Sequence, residues 1–314
     1  MTVVREAPPR AWPHRHLLDV DQLTAAEWER ALELATRMRA ERGTGSVGSL
    51  LLGETVGLAF YEGSTRTRVS FELAARALGA TVVDLAVAGS SVAKGESLVD
   101  TLRTLERAGV TILVLRHGAS GAPYLAARTT GLRIVNGGDG LHAHPTQALC
   151  DALTLRDALG DLAGRTVAII GDVAHSRVAR SNVHALRRAG AVVRVGGPPA
   201  FVAGLRAWPG VEVCTSIESA VRDADAVMAL RIQLERAAVS GVPSIREYVA
   251  RWGLTDQRMA SARPGAVILH PGPTNEGIEL TAALANGPRS RIAKQVEWGV
   301  PVRMAVLALV ADAG

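Results

Sequence analysis

Apolar runs alternate along most of the chain with segments in which apolar residues recur every three or four positions. The run 55–60 has the composition of a buried strand, and Leu73, Ala77 and Leu78 then repeat with a helical period up to Gly79. The same succession returns many times before the chain ends. This pattern predicts strands and helices in alternation, which is typical of parallel sheets covered by helices.

The strands are predicted at 55–60, 81–85, 110–115, 133–135, 166–170, 191–195, 211–213, 225–230 and 266–269. The helices are predicted at 25–42, 65–78, 96–108, 120–130, 145–159, 177–189, 199–207, 217–222, 243–252, 255–261 and 289–312. Thr24 and Glu27 form a capping box at the start of the first helix. Residues 1–16 are expected to form a loosely ordered tail, and 88–91 and 136–140 to form loops. The fold class is α/β, with two doubly wound domains whose mostly parallel sheets are flanked by helices.

A chain of 314 residues suits two domains of similar size. The long helix at 145–159 is the expected connector, so the first domain is placed at 1–150 and the second at 151–288. The C-terminal helix, within 289–314, is expected to pack back onto the first domain.

Composition excludes several classes of protein. Hydrophobic residues make up 48% and aromatic residues 4%, so the core must consist mainly of Ala, Val and Leu. The net charge is +5 and the arginines are scattered, which suits small anionic ligands better than nucleic acid. Cys150 and Cys214 are far apart and favour neither a disulfide nor a metal site. No signal peptide or membrane-length apolar run is present, so we expect a soluble cytoplasmic protein.

The stretch from Ser64 to Thr67 should open a helix directly after the first strand. Unpaired amide groups and the helix dipole favour an anion at that end, and Arg66 can bind a phosphate through two hydrogen bonds. The sequence therefore predicts a phosphate site. The alternative is a simple Ser/Thr helix cap with surface arginines.

Polar side chains follow five predicted strands, where parallel strands bring their carboxyl ends together. They are Arg116-His117, His144-Pro145-Thr146-Gln147, Asp172 with His175-Ser176-Arg177, Arg231 with Gln233, and His270-Pro271-Gly272-Pro273. Five such loops indicate one cationic cleft. Gly171-Asp172 lacks the spacing of a dinucleotide site, so a nicotinamide cofactor is not expected.

These motifs, together with Phe60 to Arg68, Lys94-Gly95-Glu96 and Ser176-Arg177-Val178-Ala179-Arg180-Ser181, resemble the aspartate carbamoyltransferase family. The resemblance extends from about residue 17 to 312. An ornithine enzyme would be expected to show His-Cys-Leu-Pro and Ser-Met-Gly, where this chain has His270-Pro271-Gly272-Pro273 and Leu230-Arg231-Ile232-Gln233. One departure is Asn275-Glu276-Gly277, where many bacterial relatives have Asn-Arg-Gly; Glu276 either points to solvent or changes the pairing of its loop.

The resemblance implies transfer of the carbamoyl group of carbamoyl phosphate to L-aspartate, an early step of pyrimidine synthesis. It assigns Ser64, Thr65, Arg66 and Thr67 to the phosphate, and Arg116 and His144 with Thr67 to the carbonyl oxygen. It assigns Gln147 and the backbone of Gly272 and Pro273 to the carbamoyl amine, and Arg177, Arg231 and Gln233 to the carboxylates of aspartate. It places Ser91 and Lys94 on a loop that enters a neighbouring subunit's site, which implies a homotrimer.

The first domain would bind carbamoyl phosphate and the second aspartate, with no metal, cofactor or covalent nucleophile needed. No general base is evident, and the departing phosphate itself could take the amine proton. Two alternatives stay open: a carbamoyltransferase for ornithine or another amine, and a non-catalytic scaffold of the same fold. A regulatory chain or dihydroorotase could be a further partner, because members of the family occur in such assemblies.

Overall fold

The computed structural model describes residues 12–43, 46–85, 95–232 and 244–313. Its strands are β1 (Thr55–Phe60), β2 (Thr81–Leu85), β3 (Ile112–His117), β4 (Arg133–Asp139), β5 (Thr166–Ile170), β6 (Val192–Gly196), β7 (Val211–Cys214), β8 (Ala226–Ala229) and β9 (Val267–Leu269). The predicted loop 88–91 lies outside the described residues.

The helices begin with α1 (Ala25–Glu41), α2 (Thr65–Ala77), α3 (Leu98–Arg107), α4 (Ala122–Thr129), α5 (Pro145–Leu159) and α6 (Arg177–Arg188). They continue with α7 (Pro199–Val202), α8 (Ile217–Val221), α9 (Ile245–Trp252), α10 (Asp256–Met259), α11 (Ala282–Asn286), α12 (Ile292–Glu297) and α13 (Gly299–Ala311). A 3-10 helix follows α7 at Ala203–Ala207. None of the helices in the described part of the chain is both long and apolar enough to span a bilayer.

Two parallel sheets confirm the predicted fold class. The first has the strand order β2-β1-β3-β4 and the second β7-β6-β5-β8-β9. The strand order therefore reverses between β1 and β3 in one sheet, and between β5 and β8 in the other. In an open α/β sheet, the loops beyond the carboxyl ends of the strands diverge at such a point and leave a crevice for a ligand.

The first sheet divides its side chains between two cores. Val56, Leu58 and Val114 pack in one core with α1, α2 and α13, whereas Ala59 and Leu115 pack on the opposite face with α3 and α4. The second sheet has its own core, which includes Val167, Ile169 and Val227. Helix α5 contributes to the cores of both sheets. Leu149 belongs to the core shared with α1, α2 and α13, and Leu155 belongs to the core of the second sheet.

Three boundary predictions are wrong and one helix was missed. The helix predicted at 199–207 is the short α7 followed by a 3-10 helix. Strand β4 continues to Asp139 instead of ending before a glycine loop, because β3 also extends to His117 and pairs with it through an irregular register. The C-terminal helix is two helices, α12 and α13, separated at Trp298, and α11 was not predicted.

The expected tail is also more ordered than predicted where it is described. Trp12 is buried, and Leu17 bridges to Val135 at the edge of β4. The Nδ1 atom of His16 accepts a hydrogen bond from the amide of Ile134. These contacts fix the segment from Trp12 onwards against the first sheet.

Candidate active site

The loops at both reversal points carry arginines. Arg66 follows β1 and Arg116 is the next-to-last residue of β3, whereas Arg177 follows β5 and Arg231 follows β8. The fold therefore places four arginines at or just beyond the carboxyl ends of four strands, two from each sheet.

The loop after β1 enters α2 without a side-chain cap. Ser64 is the N-cap residue, yet its hydroxyl makes no hydrogen bond to the amides of the first turn. Thr24 at the start of α1, by contrast, forms the predicted capping box with Glu27. The cap-only interpretation of Ser64 is therefore wrong, and the first turn of α2 keeps its amide groups for another acceptor.

Arg66 reaches from α2 to the loop after β9. Its guanidinium lies against the α-carbon of Gly272, where an added β-carbon would collide with it. Gly272 also has a left-handed backbone, with φ of 67°. Burial lowers the pKa of Arg66 from its ordinary value, although the group stays fully charged. The predicted phosphate and amine sites are thus adjacent in space.

Arg116 and Arg177 meet above the glycines of β4. A β-carbon placed on Gly138 would lie 2.9 Å from Nη1 of Arg116 and 3.2 Å from Nε of Arg177. Arg116 donates from Nη1 to the carbonyl oxygen of Gly137 at 3.1 Å, and Arg177 donates from Nη1 to that of Gly140 at 3.2 Å. The extended end of β4 and the residue after it therefore supply the acceptors that orient the two arginines.

Glu62 joins the same two arginines through one carboxylate. Its Oε2 accepts from Nη2 of Arg177 at 2.7 Å and lies 3.7 Å from Nε of Arg116. Burial, followed by the neighbouring charge of Arg177, lowers the pKa of Arg116 to about 10. Glu62 lies inside the motif that predicted the phosphate site but received no role from the sequence. The signal in the sequence that could have identified Glu62 was an acidic residue next to a motif with two arginines.

His144 is buried next to this group. Burial, and then the charges of Arg116 and Arg177, lower its pKa well below the ordinary value. The imidazole is therefore neutral, and it is a weak base. Its backbone amide donates to the hydroxyl of Ser181 at 2.9 Å, which ties the start of α5 to α6.

His270 occupies a similar environment on the other side. Its Nδ1 accepts from the amide of Gly272 at 2.8 Å, so the proton of the neutral ring is on Nε2. Burial, and then the charges of Arg66 and Arg231, lower its pKa to about 4. The sequence identified the motif that contains His270 without giving this side chain a role.

Glu279 stabilises the backbone next to Arg231. It accepts from the amide of Ile232 at 2.8 Å, and its other oxygen accepts from the amide of Asn275 at 2.8 Å. Glu276 is exposed, so the departure from the bacterial pattern points to solvent. Glu279 therefore joins the loop after β8 to the loop after β9.

Ser91, Lys94 and Gln233 lie outside the described residues. In the described ranges, no group of three or more His, Cys, Asp or Glu side chains could hold a metal ion. The structure thus brings Arg66 against Gly272 and brings Arg116 together with Arg177 and His144, while His270 lies near both Arg66 and Arg231.

Two family models cover most of the chain. Residues 15–157 match the carbamoyl-phosphate-binding domain of aspartate/ornithine carbamoyltransferases, and residues 163–310 match their Asp/Orn-binding domain.

Curated relatives cover nearly the full length. The aspartate carbamoyltransferase catalytic subunit of Gluconacetobacter diazotrophicus is 51% identical over 99% of this chain and 98% of its own. That of Rhodospirillum centenum is 50% identical over 95% of both chains.

Solved structures agree with these matches. Aspartate transcarbamoylase from Trypanosoma cruzi, in complex with carbamoyl aspartate and phosphate, superposes with a TM-score of 0.84 at 30% identity, covering 96% of this chain and 98% of that one. Ornithine carbamoyltransferase from Pyrococcus furiosus reaches 0.85 at 27% identity, with 95% and 97% covered. The chain belongs to the aspartate/ornithine carbamoyltransferase family.

Proposed function

We propose that this chain transfers the carbamoyl group of carbamoyl phosphate to the amine of L-aspartate, giving N-carbamoyl-L-aspartate and phosphate. The observation that carries the proposal is the two pairs of arginines at the two reversal points, Arg66 with Arg116 from the first sheet and Arg177 with Arg231 from the second. Two anionic substrates can each meet one pair, and the reaction then requires mainly that they be held against each other.

The phosphate binds at the first turn of α2. Ser64, Thr65 and Thr67 supply hydroxyl groups, and the backbone amides of that turn are unpaired by any cap. Arg66 adds a charged donor beside Gly272. Lys94, which the family resemblance assigns to the same phosphate, completes the neutralisation as the leaving group departs.

The carbonyl oxygen of the carbamoyl group faces Arg116, His144 and Thr67. Negative charge develops on this oxygen as the amine attacks, and losing one donor of such a site typically costs about 2.7–4 kcal/mol. Arg116 is oriented for this task before substrate arrives, because Gly137 and Glu62 hold its guanidinium. His144 contributes as a neutral donor, since its environment opposes protonation.

The carbamoyl amine is held by Gln147 and by the backbone of Gly272 and Pro273. These acceptors distinguish the amine end of the group from its carbonyl end. The attacking amine loses its proton to the departing phosphate. A His144→Ala variant is therefore expected to keep the pH profile of the parent, and loss of the acid limb would assign the base to His144 instead.

Aspartate binds at the loops of the second sheet, where Arg177, Arg231 and Gln233 receive its two carboxylates. The cationic side chain of ornithine would meet Arg231 unfavourably, and this residue therefore favours a dicarboxylic acceptor. The relatives that are 51% and 50% identical to this chain are named aspartate carbamoyltransferase catalytic subunits, in agreement with aspartate as the acceptor.

The assembly proposed for this chain is a homotrimer in the cytoplasm. Ser91 and Lys94 would enter the site of a neighbouring subunit, so each active site would be shared. A regulatory chain or dihydroorotase remains a candidate partner. The proposed domain boundaries are 1–150 and 151–288, with 289–314 returning to the first domain; contacts of α13 with α1 and α2 support this last part.

The test is phosphate release from carbamoyl phosphate with L-aspartate or L-ornithine as acceptor, with the carbamoylated product identified directly. Release with aspartate that exceeds release with ornithine by several orders of magnitude is the expected result. Equal rates would leave a less selective carbamoyltransferase, and no release with either acceptor would favour the scaffold.

A further inference from the structure

Asp151 is a wholly buried carboxylate one helical turn after Gln147 on α5. Its Oδ1 accepts from Nε2 of Gln147 at 2.8 Å and from Nε2 of Gln295 at 2.7 Å. Its Oδ2 accepts from Nδ2 of Asn182 at 2.7 Å. One carboxylate therefore binds three amide side chains, which come from α5, α6 and α12.

The chemistry of an ionised carboxylate decides how these amides are turned. It can only accept hydrogen bonds, so each amide must present its nitrogen to Asp151 and direct its oxygen elsewhere. For Gln147 this leaves Oε1 available as an acceptor on the side away from Asp151. An amide turned the other way would place two acceptor oxygens against each other.

The side-chain amide of Gln295 is oriented by Asp151 in the same way, and it contacts the loop after β9. Gln295 donates from Nε2 to Asp151, and its Oε1 accepts from the backbone amide of His270 at 2.9 Å. His270 in turn holds the amide of Gly272 through Nδ1. A continuous series of hydrogen bonds thus links Asp151 to the loop that contains Gly272 and Pro273.

A buried carboxylate is a costly way to join helices. Burial raises the pKa of Asp151 to about 6, although the three amide donors and the nearby Arg303 oppose that change. Buried charged groups are often replaced by well-packed apolar residues without loss of stability. Stability alone therefore does not account for a charged group here. A carboxylate does fix which end of each amide faces it, and this orienting role can explain why the charge is kept.

We propose that Asp151 is a positioning residue that directs the acceptor oxygen of Gln147 and the loop of Gly272 and Pro273 onto the carbamoyl amine. The inference rests on the role of these three residues in the proposed function. It deepens that function by giving one buried group control over both halves of the amine site.

The test compares carbamoyl phosphate with acetyl phosphate, which has a methyl group where carbamoyl phosphate has its amine. Both ligands use the phosphate and carbonyl contacts, but only one donates to Gln147. The dissociation constants of both are measured by calorimetry on the parent protein and on Asp151→Asn. We expect the preference for carbamoyl phosphate to fall about tenfold in the variant, the equivalent of one hydrogen bond, with acetyl phosphate affinity nearly unchanged.

Asp157→Asn is the matched control on the same helix. Asp157 accepts from Nε1 of Trp298 at 2.9 Å and from Arg39, so it also joins α5 to the C-terminal region, but it holds no amide of the site. The preference should be unchanged in this variant. Equal weakening of both ligands in Asp151→Asn would overturn the positioning role and leave a structural one.

Two further variants separate the remaining outcomes. Gln295→Met keeps the hydrogen bond of Gln147 to Asp151 but removes those that Gln295 makes with Asp151 and His270. A partial loss of preference is therefore expected even where Asp151→Asn does not fold, and an unchanged preference would contradict the inference. Gln147→Ala tests the proposed function on its own. If this variant loses the preference and Asp151→Asn keeps it, the amine site stands and the inference about Asp151 fails.

Discussion

The two sides of the site differ in how the protein holds its arginines. Arg116 and Arg177 are oriented by the carbonyl oxygens of Gly137 and Gly140 and by Glu62. The guanidinium of Arg66 has no such hydrogen bond among the described residues and rests against Gly272. The comparison indicates that Arg116 and Arg177 are oriented before any ligand binds, whereas Arg66, on the side proposed for the phosphate, keeps its donors for a ligand.

The largest loss of activity is expected for a change at Arg66, the least constrained of these three arginines. Arg66→Ala should lower kcat/KM for carbamoyl phosphate by about 10³-fold, because a charged donor to the phosphate is lost while developing charge must be stabilised. Arg68→Ala is the control, since Arg68 lies two residues on and pairs with Asp84 on the surface. Steady-state kinetics with saturating aspartate measure both. A loss of less than tenfold for Arg66→Ala would mean that the phosphate binds elsewhere.

The next effect concerns the neutral histidine beside Arg66. His270 has a pKa of about 4 in the folded protein, below that of a histidine in an unfolded chain. The unfolded chain therefore takes up a proton first as the pH falls, and His270 lowers stability progressively between about pH 6.5 and pH 4.

We expect the parent protein to lose about 2 kcal/mol more unfolding free energy than His270→Asn between about pH 7.5 and pH 5. Urea unfolding of both proteins at the two pH values measures this difference. The difference between parent and variant removes the contribution of the other histidines. Parallel pH dependences would show that His270 is protonated equally in both states.

A smaller loss of activity is expected when the hydrogen bond that orients Arg177 is weakened. Glu62→Gln keeps the size of the side chain but replaces a charged hydrogen bond to Arg177 by a neutral one. We expect kcat/KM for aspartate to fall about tenfold, because Arg177 becomes less constrained. Glu72→Gln is the control, since Glu72 pairs with Arg76 on the exposed side of α2. An unchanged rate would mean that the backbone carbonyls suffice to orient Arg177.

The smallest expected effect compares two N-cap residues, Thr24, which stabilises its helix, and Ser64, which is proposed to bind phosphate. Thr24→Ala should cost about 1 kcal/mol of unfolding free energy, because the capping box of α1 is lost. Ser64→Ala should change stability by a few tenths of a kcal/mol and instead weaken carbamoyl phosphate binding, because its hydroxyl caps nothing. Thermal unfolding and calorimetry on both variants measure this contrast. Equal losses of stability would reassign Ser64 to the helix.

The sequence predicted most of the fold because its elements are locally encoded. The capping box at Thr24 and the apolar run before Ser64 each marked a boundary that the structure confirms. The predictions were wrong where tertiary contacts decide. Gly137 and Gly138 have the composition of a loop, yet pairing with β3 keeps them in a strand.

The site was predictable only in part, for a related reason. Arginines at strand ends could be found because the topology of a parallel sheet brings those ends together. Asp151 and Gln295 could not be joined from the sequence, since they are 144 positions apart and meet only through packing of α5 against α12.

The return of α13 has a consequence for synthesis of the protein. Its side chains, including Val302 and Leu307, share a core with Trp28 on α1 and Phe71 on α2. That core lacks these side chains until α13 has left the ribosome, although the strands of the first sheet were made long before. The nascent chain must therefore carry exposed apolar surface on α1 and α2 throughout translation of the second sheet, and in that period chaperone binding is expected.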